Sequence, residues 1–181
     1  MKTKIWFYLI FMIIFLYHSA TLASKVKTYR NNELGFEISY PTNWEKSTSP
    51  GNPAFFIKRK STTEIGTISI HVKTFTGNKA EKFMREMKSN PDHYTQRVKK
   101  NRLPDAEMVE HGDTYLGGFP AYFYIMTYSL RNLNKEIGIV TMQIFCVKGD
   151  RLFLVNFETQ WHTFEKVFSE FKVILSTFNF R

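Results

Sequence analysis

The chain has 181 residues, 43% of them hydrophobic and 23% charged, the profile of an ordinary globular protein of one domain. Its 25 lysines and arginines against 16 acids leave a formal charge of +9, which favours an anionic partner or surface over a cationic one. The one cysteine, Cys146, excludes an internal disulfide and any paired-cysteine zinc site.

Lys2 and Lys4 precede an apolar run from Ile5 to Tyr17, and small and polar residues follow as far as Ala23. A basic start, a short apolar core and a small residue at the end predict a secretory signal peptide over 1–23, cut after Ala23. The run is shorter than the roughly 18 to 20 residues a spanning helix needs, so an uncleaved N-terminal anchor is the second reading. Either way the chain is expected to be exported, periplasmic or extracellular. No cysteine stands near Ala23 to carry a lipoprotein anchor.

Residues 24–32 are polar and basic and are expected to form a flexible arm, with a single domain over 33–181. Phe36, Ile38 and Tyr40 then alternate with Glu37 and Ser39, the period of a strand with one buried face. Pro41 closes that strand, and Trp44 is placed on the turn beyond it. After the loop STSPGNP comes a short strand, AFFIKRK. TEIGTISIHVKTF is the clearest strand, with Ile68, Ile70 and Val72 facing one way and Ser69, His71 and Lys73 the other. From Asn78, the expected N-cap, the period changes to that of a helix: Ala80, Phe83, Met84 and Met87 share one side. Pro91 divides the segment into two helices, about 79–89 and 91–101.

The second half holds strands with two apolar faces. DAEMVEHGDTYLGG leads through a tight turn at Gly117-Gly118 into FPAYFYIMTYSL, and IGIVTMQIFCV and RLFLVNFET follow at hairpin distance. Such strands must be covered on both sides. The closing segment TFEKVFSEFKVILSTF is an amphipathic helix and covers one face; the 79–101 segment is the candidate cover for the other. The fold class is therefore α+β, an α/β/α sandwich around a mainly antiparallel sheet of about 6–7 strands, in the order β-β-β-α-β-β-β-β-α.

Three stretches together resemble the PsbP-like family: LGFEISYPTNWEK, GGFPAYFYIMTY, and KGDRLFLVNFET followed by FEKVFSEFKVILSTFNF. Their order and spacing carry the resemblance over about Glu33 to Phe180. It implies the α/β/α sandwich of PsbP, the extrinsic subunit of the photosynthetic oxygen-evolving complex, and of the Ran-binding Mog proteins. It also implies a non-enzymatic binding or assembly role. The signal segment argues against a nuclear Ran-binding role, and the N-terminus is not the Ser/Arg-rich transit type a chloroplast protein carries.

Motifs for chemistry are absent: there is no G-x-S-x-G, no H-E-x-x-H and no glycine-rich phosphate loop. No cofactor is expected. The nearest approach to a metal set is Glu110, His111 and Asp113, with Asp92 and His93 further back. Adjacent strand residues point to opposite faces, however, so these are read as solvated polar groups ahead of a hairpin. Tyr122, Tyr124, Met126 and Tyr128 form a stripe that is either core under a helix or a groove for a peptide or apolar ligand. Lys79, Lys82, Arg85, Lys88, Arg97, Lys99, Lys100 and Arg102 could meet anionic lipid headgroups or an acidic protein partner. Nucleic acid is disfavoured, because the chain carries an export signal and no groove-reading motif.

The leading expectation is an exported, non-enzymatic binding or assembly module acting at a membrane surface or on a membrane complex. Two alternatives stand beside it. A carrier of a small apolar ligand would need a dry cavity between sheet and helix. An enzyme would need two of His71, His93, His111 and His162 beside a carboxylate in one pocket.

Overall fold

The computed structural model describes residues 25–49, 51–101, 103–132 and 135–181. The proposed signal segment and Arg102 lie outside the described residues.

Seven strands form the central sheet: β3 (Trp44–Lys46), β4 (Phe55–Arg59), β5 (Gly66–Thr74), β6 (Glu107–Leu116), β7 (Phe119–Asn132), β8 (Lys135–Lys148) and β9 (Arg151–Gln160). Their spatial order is β3-β4-β5-β9-β8-β7-β6, and every neighbouring pair is antiparallel. A second sheet of three strands has the order β1-β2-β10, from β1 (Val26–Asn31), β2 (Phe36–Pro41) and β10 (Asn179–Phe180). Three helices complete the fold: α1 (Lys79–Ser89), α2 (Pro91–Asn101) and α3 (Phe164–Ser176), the last entered through a 3-10 turn, Trp161–Thr163.

The hairpins follow from local chemistry. Gly117 and Gly118 both take positive φ, 54° and 82°, as a two-residue turn matched to strand twist requires. A side chain at Gly117 would also meet Phe180 at 2.9 Å, so this position needs glycine twice over. A long connection runs from interior strand β5 through α1 and α2 to edge strand β6, which lays both helices across one face of the sheet.

The sheet thus has two covered faces of different kind. On one side α3 and the small sheet bury Ile57, Ile68, Ile70, Ile144, Cys146, Val155 and Phe157 in one continuous core. Phe171 of α3 stacks on Phe157 with ring centroids 4.5 Å apart, and Phe36 of β2 stacks on Phe178 at 5.7 Å. On the other side Met84 and Met87 of α1 pack with Tyr122, Tyr124, Phe145 and Leu152. The sandwich and its antiparallel sheet are as the two-faced strands predict, and the helix boundaries at Pro91 hold.

Three expectations need correction. Residues 26–31 are not a loose arm: β1 pairs with β2 from Val26↔Pro41 to Asn31↔Phe36, and Tyr29 anchors it by donating to the Ala54 carbonyl at 2.9 Å. Trp44 starts strand β3 rather than sitting on a turn, and it is fully buried. Its indole N–H donates to Glu170 of α3 at 2.8 Å, so the ring fastens the sheet edge to the helix. Asn78 precedes α1 without a side-chain cap bond. The cap in this region is Asn90, whose Oδ1 accepts from the His93 N–H at 3.0 Å and starts α2.

Candidate functional site

The helical layer over β7 and β8 collects the residues that charge singles out. Ala80, Met84 and Met87 face the sheet from α1, so Lys79, Lys82, Arg85 and Lys88 are left on its solvent side. In α2 the buried Thr95 and half-buried Tyr94 and Val98 face inward, leaving Arg97 and Lys100 exposed and Lys99 partly so. Two of these cations have acidic neighbours: Lys82 lies 4.0 Å from Glu86, and Lys88 reaches Asp113 on β6. Among the described residues Lys79, Arg85, Arg97, Lys99 and Lys100 pair with no carboxylate. The layer is therefore a solvated, net positive surface on a packed floor.

The floor is the tyrosine stripe, and it is closed. Tyr122, Tyr124 and Tyr128 are each at most 8% exposed. Tyr122 shares a hydrogen bond of 2.7 Å with His111 Nδ1, and Tyr124 donates to the Met87 carbonyl at 2.7 Å. Tyr94 stacks on Tyr124 at 4.7 Å and donates to Gln143. Burial pushes the phenols of Tyr122, Tyr124 and Tyr128 above their ordinary range, and the Glu158 carboxylate adds to the effect at Tyr128. The stripe is core rather than an open groove, because α1 and α2 supply the second cover that a two-faced strand requires. The space where a carrier would hold an apolar ligand is filled by these rings and by Met84, Met87 and Phe145.

The metal candidates separate as their alternation implies. His111 pairs across to Tyr124 and Asp113 to Tyr122, on the helix face, whereas Glu110 pairs to Ile125 on the other. Burial raises the Glu110 carboxyl, with His111 opposing the shift. Among the described residues no group of three or more His, Cys, Asp or Glu could hold one metal ion. The four histidines proposed for acid–base work stand on four elements: His71 on β5, His93 on α2, His111 on β6 and His162 in the 3-10 turn.

One cluster escapes a reading along the chain. Register sets Ser69 opposite Asn156 and Asn156 opposite Gln143, while Glu158 stands opposite Thr67 and Thr141. These side chains share the helix face, and three of them bond in a chain. Thr141 donates to Asn156 at 2.9 Å, and Asn156 donates to Glu158 at 3.1 Å. The result is a polar band running across the sheet beside the tyrosine floor. Its signal in the sequence is a pair of polar residues two apart in each of two greasy strands, Thr141/Gln143 and Asn156/Glu158.

The model of a family described as "PsbP-like protein" matches residues 18–180, nearly the whole sequence. The chain belongs to the PsbP-like family. No curated protein matches the sequence significantly. Among solved structures, this PsbP-like chain is similar to cyanobacterial PsbP (CyanoP) from Synechocystis sp. PCC 6803, with a TM-score of 0.55 and 15% identity over 91% of this chain and 98% of that one. It is also similar to LpqN, described as involved in cell envelope biogenesis of Mycobacterium tuberculosis: TM-score 0.56, 14% identity, 86% of this chain and 90% of that one. The Saccharomyces cerevisiae Ran-binding protein Mog1p follows at TM-score 0.52 and 6% identity, over 87% of this chain and 96% of that one. At such identities the likeness is one of fold. No helix of the described residues is long and apolar enough to cross a membrane.

Proposed function

We propose that this PsbP-like chain is an exported, non-enzymatic module that docks on an anionic surface through the α1–α2 layer, to help assemble or hold a membrane-associated complex. The observation that carries the reading is the run of unpaired cations, Lys79, Arg85, Arg97, Lys99 and Lys100, on helices packed over a closed tyrosine floor. A rigid, positively charged layer without an opening beneath it suits adhesion to phosphate headgroups better than turnover of a substrate. Each Lys or Arg near an anionic membrane contributes about 1 kcal/mol, so five acting together suffice for reversible docking. Family membership and the envelope role printed for LpqN support the compartment and the class of role.

The test is vesicle co-sedimentation with the chain from residue 24 onward. Binding is expected to vesicles containing phosphatidylglycerol and not to pure phosphatidylcholine, and to fall as salt is raised. Changing Arg85, Arg97 and Lys100 to Glu should lower partitioning by at least 100-fold. Equal binding to both vesicle types would sink the proposal.

A further inference from the structure

Among the described residues the long outer edge of the sheet has no partner strand: β6 ends the seven-stranded order, and its one ladder there is with β7. At the opposite end the edge strand β3 is three residues long and tied to α3 through Trp44, whereas β6 runs for ten residues. An uncovered edge of that length presents a row of backbone donors and acceptors ready for another strand. It also carries exposed side chains on one face in alternation, His111, Asp113 and Tyr115, with Tyr115 71% exposed, while Val109 stands in the bulge between Met108 and Glu110.

We propose that β6 pairs antiparallel with β6 of a second copy of this chain, about a two-fold axis through Gly112. A dyad perpendicular to the sheet keeps each face continuous, so only registers that set a residue opposite another of its own face are allowed. With Gly112 on the axis, His111 faces Asp113 of the second copy and Glu110 faces Thr114. Both acids of the paired segment, Glu110 and Asp113, then meet a neutral or basic partner. Moving the axis to Asp113 sets two carboxylates face to face. Moving it to His111 opposes the two imidazoles and carries the bulge further into the paired segment. The bulge between Met108 and Glu110 falls at the end of the paired segment, so the strand from Glu110 to Leu116 is regular where pairing is centred.

The dimer would hold a continuous fourteen-strand sheet (about twice the seven of one copy) with both α1–α2 layers on the same side. Pairing along one edge buries little area, so a dissociation constant in the micromolar range is expected. This association is read in solution without lipid, so its outcome is separate from that of the vesicle experiment.

The test has two arms, both on the chain from residue 24, which contains every strand and helix described. Sedimentation equilibrium from about 5 to 500 μM should show a monomer–dimer equilibrium. Asp113→Lys should weaken it at least tenfold, with circular dichroism reporting an intact fold. The second arm reads the register. Glu110→Cys and Thr114→Cys chains should form a disulfide-linked dimer under mild oxidation when mixed, and neither should crosslink alone, because like positions lie roughly 14 Å apart. Cys146 is fully buried and takes no part. A monomer at every concentration, a dimer indifferent to Asp113→Lys, or crosslinks in the single variants would each overturn the proposal.

Discussion

The two faces of the seven-stranded sheet solve the same covering problem in opposite ways. Beneath α3 and the small sheet the cover is mostly apolar: Phe157, Phe168 and Phe171 stack among Ile and Val side chains in one continuous core, with polar bonds at its margin through Glu170 and Thr159. Beneath α1 and α2 the cover is mixed. Two separate apolar clusters, one around Tyr124 and one around Tyr128, adjoin the hydrogen-bonded band of Thr141, Asn156 and Glu158. The first face is held by area removed from water, the second by fewer apolar contacts and many paired polar groups. A cover held that way keeps the positions of its helices without needing their outer surface, which leaves that surface free to carry charge.

Truncation on the two faces should separate them most sharply. Phe157→Ala removes a fully buried ring from beneath Phe171 and should cost about 3–5 kcal/mol of unfolding free energy. Tyr94→Ala removes a half-buried ring and one hydroxyl bond from the α2 side and should cost about half as much. Urea denaturation of both variants checks this. Equal costs would mean that the two faces are not held differently.

Next in size is the seam that closes the apolar face. Glu170 of α3 accepts from Trp44 at 2.8 Å, from Asn43 at 3.1 Å and from Arg59 at 2.9 Å, and Arg59 also pairs with Glu64. Glu170→Ala would leave a buried indole N–H and a largely buried guanidinium short of acceptors, at a cost of about 2 kcal/mol. Glu170→Gln should recover part of that loss, since the amide oxygen can still accept from Trp44. Thermal unfolding of the pair measures the difference. No loss in Glu170→Ala would show the seam to be ornamental to stability.

These contrasts bear on what a sequence can reveal. Strands β7, β8 and β9 are legible because both their faces are apolar, and α1 and α3 because their apolar residues recur with helical spacing. β1 is not: VKTYRN is mostly exposed in the fold and alternates nothing, so it reads as an arm. β3 and β10 hold three and two residues, too few for any period to register. The tyrosine stripe is a harder case. Alternation says that Tyr122, Tyr124 and Tyr128 share a face, yet only the crossing of α1 and α2 decides whether that face is groove or core. The polar band is harder still, because Gln143 and Asn156 become neighbours only through the register of β8 against β9. Charge on the helices, by contrast, needs no register, and so the basic layer is the part of the candidate site most visible in the chain.

The smallest expected effect concerns proton loss in alkali. Cys146 lies in the apolar core, where burial pushes its thiol up to about 11 from an ordinary value of 9.0. The unfolded chain gives up this proton first, so between those values it binds fewer protons than the native one. Stability is therefore full below about pH 9 and falls as pH rises toward 11, reaching a loss of about 1 kcal/mol by pH 10. Tyr122, Tyr124 and Tyr128 shift in the same direction on the other face, as does Tyr40 of β2, so they steepen the decline at higher pH. Cys146→Val keeps the volume and removes the titrating group. Its unfolding free energy should match that of the parent curve's shape at pH 8 and lie above it in relative terms by pH 10, as urea melts at the two values will read. If the variant declines as steeply as the parent, Cys146 contributes nothing to alkaline lability, and the loss belongs to the buried tyrosines, Tyr40 among them.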